Sequence, residues 1–187
     1  MAPAPLLPPV TWQRVSKVEL GSAPLLVWIG DGTRPDEVAR ERLVFGVPKT
    51  VLGSHAFRCL RVPAADAARD PRLTAWAGFS GPTLVVISAD GAKSTAIAAE
   101  SMAPRPVWIA MKEVTAANFN DDLEVVVATA RLNLEETERL EAQRRDLNRT
   151  QLAETDRQVR LAAITRRLTE LSSELLTLWT LHPRKAA

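Results

Sequence analysis

The residues able to do chemistry in this chain are few, and their spacing limits what they can do. The single cysteine, Cys59, lies mid-strand between Arg58 and Leu60, with His55 four residues before it. A reactive thiol wants a helix N-terminus or a basic neighbour that favours the thiolate, and a cysteine inside an apolar strand is ordinarily a buried packing residue. His55 and Cys59 make a two-ligand metal fragment at best. His182 is the only other histidine, so the chain lacks the ligands of an ordinary structural zinc site and no metal is expected. Two histidines so placed support no Ser-His-Asp or Cys-His arrangement. Gly30-Asp31-Gly32 stands where a strand hands over to a helix, a place where backbone donors can face an anion. It lacks the further glycine and the lysine of a phosphate loop, and so reads as a turn with Asp31 at a candidate pocket. Asp121-Asp122 reads as a helix cap, with Asn120 or Asp121 as the capping residue. These readings supply no catalytic residue and no cofactor, and they point away from an enzyme.

The elements that would position these residues can be read in order. Trp12 to Leu20 fits a helix or an irregular first strand. Leu25 to Ile29 is a buried strand, and Pro35-Asp36-Glu37 opens a helix that stops by Gly46: proline preorganises the first turn and the carboxylates face the positive end of the dipole. Lys49 to His55 reads as a connection with at most one helical turn. Phe57 to Val62 is the next strand, ended by Pro63. A short amphipathic helix carrying Leu73, Trp76 and Ala77 is expected to end at Gly78. The unbroken apolar run Leu84 to Ile87 then predicts a strand covered on both faces. Asp90-Gly91 predicts a two-residue hairpin turn into an edge strand over Ala92 to Ala99. Ser101 to Pro106 reads as a linker.

Pro82-Thr83-Leu84-Val85-Val86-Ile87 followed by Asp90-Gly91 resembles the second half of the thioredoxin fold, and the resemblance extends over Trp12 to Arg131. It implies an α/β three-layer sandwich in which Leu25–Ile29 and Phe57–Val62 are parallel central strands. It also implies a cis bond before Pro82, with Ser80 and Gly81 as backbone contacts for an extended ligand. Ser80, Gly81, Pro82 and Asp31 are therefore the expected ligand or peptide contacts. The Cys-x-x-Cys pair of that family is missing, since its place reads Gly30-Asp31-Gly32-Thr33-Arg34-Pro35. Dithiol chemistry is excluded there.

From Val107 to His182 there is neither glycine nor proline, and good helix formers dominate. A break is expected at Asn118–Asp122. Beyond it, Leu161, Ile164, Leu168, Leu171, Leu175 and Leu178 recur at spacings of three and four, the seam of a coiled coil. One continuous helix from Asp122 to Leu181 would be roughly 90 Å long. Asp146 to Thr150 is polar enough to permit a hairpin of two helices instead. Glu135 with Arg139, Glu141 with Arg145 and Asp156 with Arg160 fall at supporting i,i+4 spacing.

Composition bounds the rest. Apolar residues make up 46% and charged residues 25%, as in a globular protein, and the net charge of +2 gives no electrostatic footprint for nucleic acid. The arginines of the helical segment alternate with acids, which favours a solvated face over an anionic surface. No apolar run is long enough to cross a membrane, and the N-terminus lacks a secretion pattern, so a cytoplasmic protein is expected unless a signal has been removed. The expected organisation is a Pro-rich lead-in over 1–11, a thioredoxin-like domain over 12–131, a helical arm over 132–182 and a tail over 183–187. The expected function is a redox-inactive protein-binding or assembly module that self-associates or docks a protein partner through the arm. The alternative is a thioredoxin-like protein using Cys59 alone for thiol redox or thiol-ligand binding.

Overall fold

The computed structural model describes residues 7–149 and 153–184. One mixed sheet forms from β1 (Gln13–Arg14), β2 (Leu25–Ile29), β3 (Arg58–Val62), β4 (Thr83–Ile87) and β5 (Ser94–Ala98), in the order β1-β3-β2-β4-β5. β3 runs parallel to β1 and β2, whereas β4 is antiparallel to β2 and to β5. Every residue of β2 and β4 is buried, as their continuous apolar runs require. On one face Leu25, Val27, Ile29, Leu60, Val62, Val85 and Ile87 pack with Val18, Ala67 and Leu73. Each of the Val, Leu and Ile side chains contributes about 1.5–3 kcal/mol on leaving water.

The helices of this unit are α1 (Pro35–Phe45), α2 (Pro48–Ser54), the four-residue α3 (Ala64–Ala67) and α4 (Pro104–Asn118). Proline occupies the first turn of α1, α2 and α4, where a missing N–H costs no helical bond. α4 packs on β4 and β5 and against α1 and α2. At Gly53 an added Cβ would come within 2.8 Å of the Trp108 ring, so α2 and α4 approach closely there.

Four expectations change. The segment 71–78 is a series of turns, not a helix. Asp70 is buried, and its carboxylate accepts the Val18 N–H at 2.7 Å and the Arg72 N–H at 2.9 Å. That Asx geometry, with Pro71 behind it, competes with helical bonding. The β4–β5 connection is not a two-residue turn: Ser88 N–H bonds the Lys93 carbonyl at 2.8 Å across a longer loop. Asp90 scaffolds that loop by accepting the Ser88 hydroxyl and the Ala92 N–H, while Gly91 takes φ 73°. The expected linker at 101–106 is a single 3-10 turn (Ala99–Ser101) leading straight into α4, with Met102 buried. Residues 48–54 are a full helix, not a connection.

The chain divides into two compact units, and the division falls within α5 (Leu123–Arg149): residues 7–127, together with 181–184, form one, and 128–180 form the other. The cap of α5 is Asp122, whose carboxylate accepts the Glu124 N–H at 2.8 Å. Asp121 is occupied elsewhere. It accepts hydrogen bonds from the His182 backbone and ring, and the chain at 181–184 pairs with 118–121 through Asn120 N–H to the His182 carbonyl and Arg184 N–H to the Asn118 carbonyl. His182, the last residue of the expected arm, is thus tied to Asp121.

In the second unit α5 and α6 (Glu154–Leu178) form an antiparallel hairpin. Arg167 reaches Glu136 at 3.0 Å and Asn133 reaches Glu174 at 3.3 Å, while Leu140 packs against Ile164 and Leu171. The arm is therefore two helices. Residues 146–149 still belong to α5, and Thr150 lies outside the described residues. Two of the expected partners differ: Glu135 pairs with Arg131, four residues before it, and Glu141 with Arg144, three residues on, while near the start of α6 Glu154 pairs with Arg157.

Candidate functional site

The loop between β2 and α1 and the turns before β4 enclose a cavity of about 170 Å³. Ile29, Asp31, Arg34, Trp76, Phe79 and Gly81 are among its lining residues. Of the four ligand contacts read from the sequence, Asp31 and Gly81 line the cavity. Ser80 is exposed beside it in the chain, and Pro82 is buried at the entry to β4. The resemblance implied a cis bond before Pro82, but no peptide bond among the described residues is cis. Gly81 instead makes the turn with φ 84°, a conformation that only glycine adopts cheaply.

The charged wall of the cavity is built from the first turn of α1. Glu37 is 3% exposed. One carboxylate oxygen accepts the Gly32 N–H and the other meets Arg34 Nε at 3.1 Å. Glu37 is the third helical residue after the Arg34 cap, the position from which a glutamate habitually reaches back to a free backbone donor. That spacing was the available signal for a residue the sequence reading assigned only to the helix dipole. A Cβ at Gly30 (φ 150°) would lie 3.0 Å from Glu37, so the carboxylate fills the space a side chain would need.

A second layer fixes the other side of the loop. Glu41 accepts Trp12 Nε1 and Arg61 Nη2, each at 2.6 Å. The Arg61 guanidinium lies 5.4 Å from the Trp12 ring centre, and Trp12 meets Trp28 and Phe45 edge-on at 6.0 and 5.6 Å. Gly32 (φ 68°) rests directly against that guanidinium. Asp31 is left exposed, 3.4 Å from Arg14. The arrangement holds a shaped cleft with aromatic and charged walls, but its buried carboxylate is committed to the loop.

Cys59 lies on β3 with Sγ 3.5 Å from the Ser54 carbonyl, and burial pushes its thiol up to about 12. Among the described residues no three His, Cys, Asp or Glu side chains gather in a metal-holding group. His55 Nε2 lies 3.3 Å from the Pro8 carbonyl, while His182 faces Asp121. No helix among the described residues is long and apolar enough to cross a membrane.

The helical stripe is divided in its use. Ile164 and Leu171 are buried, Leu168 packs on them from the edge, and Leu161, Leu175 and Leu178 remain half-buried. No protein-family model, curated protein or solved structure matches this chain.

Proposed function

We propose that the chain is a non-catalytic, thioredoxin-like protein-binding or assembly module that docks through its C-terminal helical hairpin. The observation that carries this is the leucine stripe: α5 covers Ile164 and Leu171, yet Leu161, Leu175 and Leu178 keep part of their surface in water. A stripe wider than one facing helix can cover is the surface a partner helix takes. The parallel β2–β3 pair and the antiparallel β4–β5 pair after Pro82 support the thioredoxin-like reading. The commitment of Glu37 to Gly32 and Arg34 supports the non-catalytic one. Against the thiol alternative stands the burial of Cys59, which leaves a negligible thiolate fraction at neutral pH.

The test compares the full chain with Leu161→Gln/Leu175→Gln, using light-scattering mass and capture of a partner that is then purified and rebound. Docking lost in the variant, with helical content intact by circular dichroism, supports the reading. Turnover of a disulfide or thiol substrate that vanishes in Cys59→Ala overturns it.

A further inference from the structure

β5 is an outer strand of the sheet, and its edge is unguarded. The Ser88 N–H bonds the Lys93 carbonyl, so Lys93, Thr95 and Ile97 turn their backbone groups towards β4, and Ser94, Ala96 and Ala98 turn theirs outward. The Ala98 carbonyl closes the 3-10 turn over 99–101. Among the described residues, no backbone group pairs with the other outward groups, which are the N–H of all three and the carbonyls of Ser94 and Ala96. Such a row is a template for another strand unless charge, proline, a bulge or shortness blunts it. β1, at the opposite edge, has only two residues, one of them Arg14. β5 runs five residues, Ser-Thr-Ala-Ile-Ala, in unbroken register with neither charge nor proline.

The strand is also complementary to itself. Its outward residues are spaced evenly about Ala96, so only an antiparallel pairing centred there sets each of them against another: Ala96 against its own counterpart, and Ser94 against the second copy's Ala98. In each direction the Ala96 N–H then donates to the opposite Ala96 carbonyl, and the Ala98 N–H to the opposite Ser94 carbonyl. Small side chains meet on one face, and Thr95 meets Ile97, a β-branched pair, on the other. With no charge inside the strand, no like charges are opposed. On the flank of α4 that reaches this edge, Glu113 joins Lys93 at 3.3 Å, and its neighbours one turn to either side, Ala110 and Ala117, are small enough to leave a second copy room.

We infer that the β5 edge takes the β5 edge of a second copy, joining two five-stranded sheets into one across a two-fold axis at Ala96. This contact is separate from docking through the hairpin.

Sedimentation of the full chain should give a dimer at micromolar concentration. Ala96→Pro removes only an outward N–H, which an edge strand tolerates, and should weaken the dimer at least about tenfold with the circular dichroism spectrum unchanged. Leu161→Gln/Leu175→Gln should leave the dimer intact. In a Cys59→Ala background, Ala96→Cys should cross-link between copies in air, since the two Cα atoms lie about 5.5 Å apart, whereas Ser94→Cys, about 13 Å from its counterpart, should not. A chain monomeric at high micromolar concentration, a dimer that Ala96→Pro does not weaken, or cross-linking at 94 as fast as at 96 overturns the inference. A dimer lost in the leucine variant also overturns it, and assigns assembly to the hairpin.

Discussion

Replacing Gly32 with alanine tests whether the β2–α1 loop is held by the guanidinium beneath it. Two costs add. Gly32 sits at φ 68°, where an L side chain costs about 1–2 kcal/mol. The new methyl would also overlap the Arg61 guanidinium, which is 18% exposed and pinned by Glu41 at 2.6 Å. Displacing it weakens a partly buried, charge-assisted bond worth about 1.5–3 kcal/mol. The total expected is about 2.5–5 kcal/mol. Urea unfolding followed by tryptophan fluorescence reads it directly, since Trp12 and Trp28 flank the cluster. In an Arg61→Ala background the steric part disappears, so Gly32→Ala should then cost only the backbone term, about 1–2 kcal/mol. A cost under about 0.5 kcal/mol in the wild-type background, or equal costs in both, would refute the packing argument.

Three further outcomes follow from the geometry. Cys59 should resist iodoacetamide at neutral pH in the native chain and react once urea unfolds it, and rapid native alkylation would show the strand to be open. Partial burial pushes the Asp121 carboxyl up, but hydrogen bonds from the His182 backbone and ring outweigh this and hold it below its ordinary 3.8. A depressed carboxylate contributes stability above its unfolded value and loses it as pH falls through the folded value, so the 181–184 segment should lose amide-exchange protection only below about pH 4. Asp121→Asn should remove that acid dependence, and protection unchanged to lower pH would count against the clasp. Leu171 is 1% exposed and Leu176 71%. Leu171→Ala should destabilise the hairpin by about 2–5 kcal/mol and Leu176→Ala by under about 0.5 kcal/mol, read by helix melting.

The sheet was legible where its residues are apolar and continuous. Leu25–Ile29 and Leu84–Ile87 can be placed from sequence because complete burial demands uninterrupted hydrophobic runs. The two-residue β1 carries no such signal and is defined only by pairing with Leu60 and Arg61. The errors lie where a side chain bonds backbone far along the chain. Asp70 to Val18 spans 52 residues and converts an amphipathic pattern into turns. His182 to Asp121 spans 61 and takes a carboxylate that looked like a cap. At the cleft, Asp31 and Gly81 were visible because a strand-to-helix junction and a Gly-Pro step mark themselves. Glu37 was hidden by doing two things at once, opening a helix and closing the loop behind it. The leucine stripe announced itself, but periodicity alone does not say whether its cover comes from the same chain.

The pairing of 181–184 with 118–121 makes the hairpin an insertion: the chain leaves its α/β unit and re-enters it at adjacent positions. Closing a loop of that length costs an unfolded chain about 4 kcal/mol in entropy, more than a few exposed hydrogen bonds return. The clasp is therefore cheapest to close once the hairpin has formed and brought the two ends together. The same adjacency makes the segment modular. Residues 128–180 should be replaceable by a short Gly-Ser bridge, or by another helical pair of matching span, with the α/β unit left to fold as before.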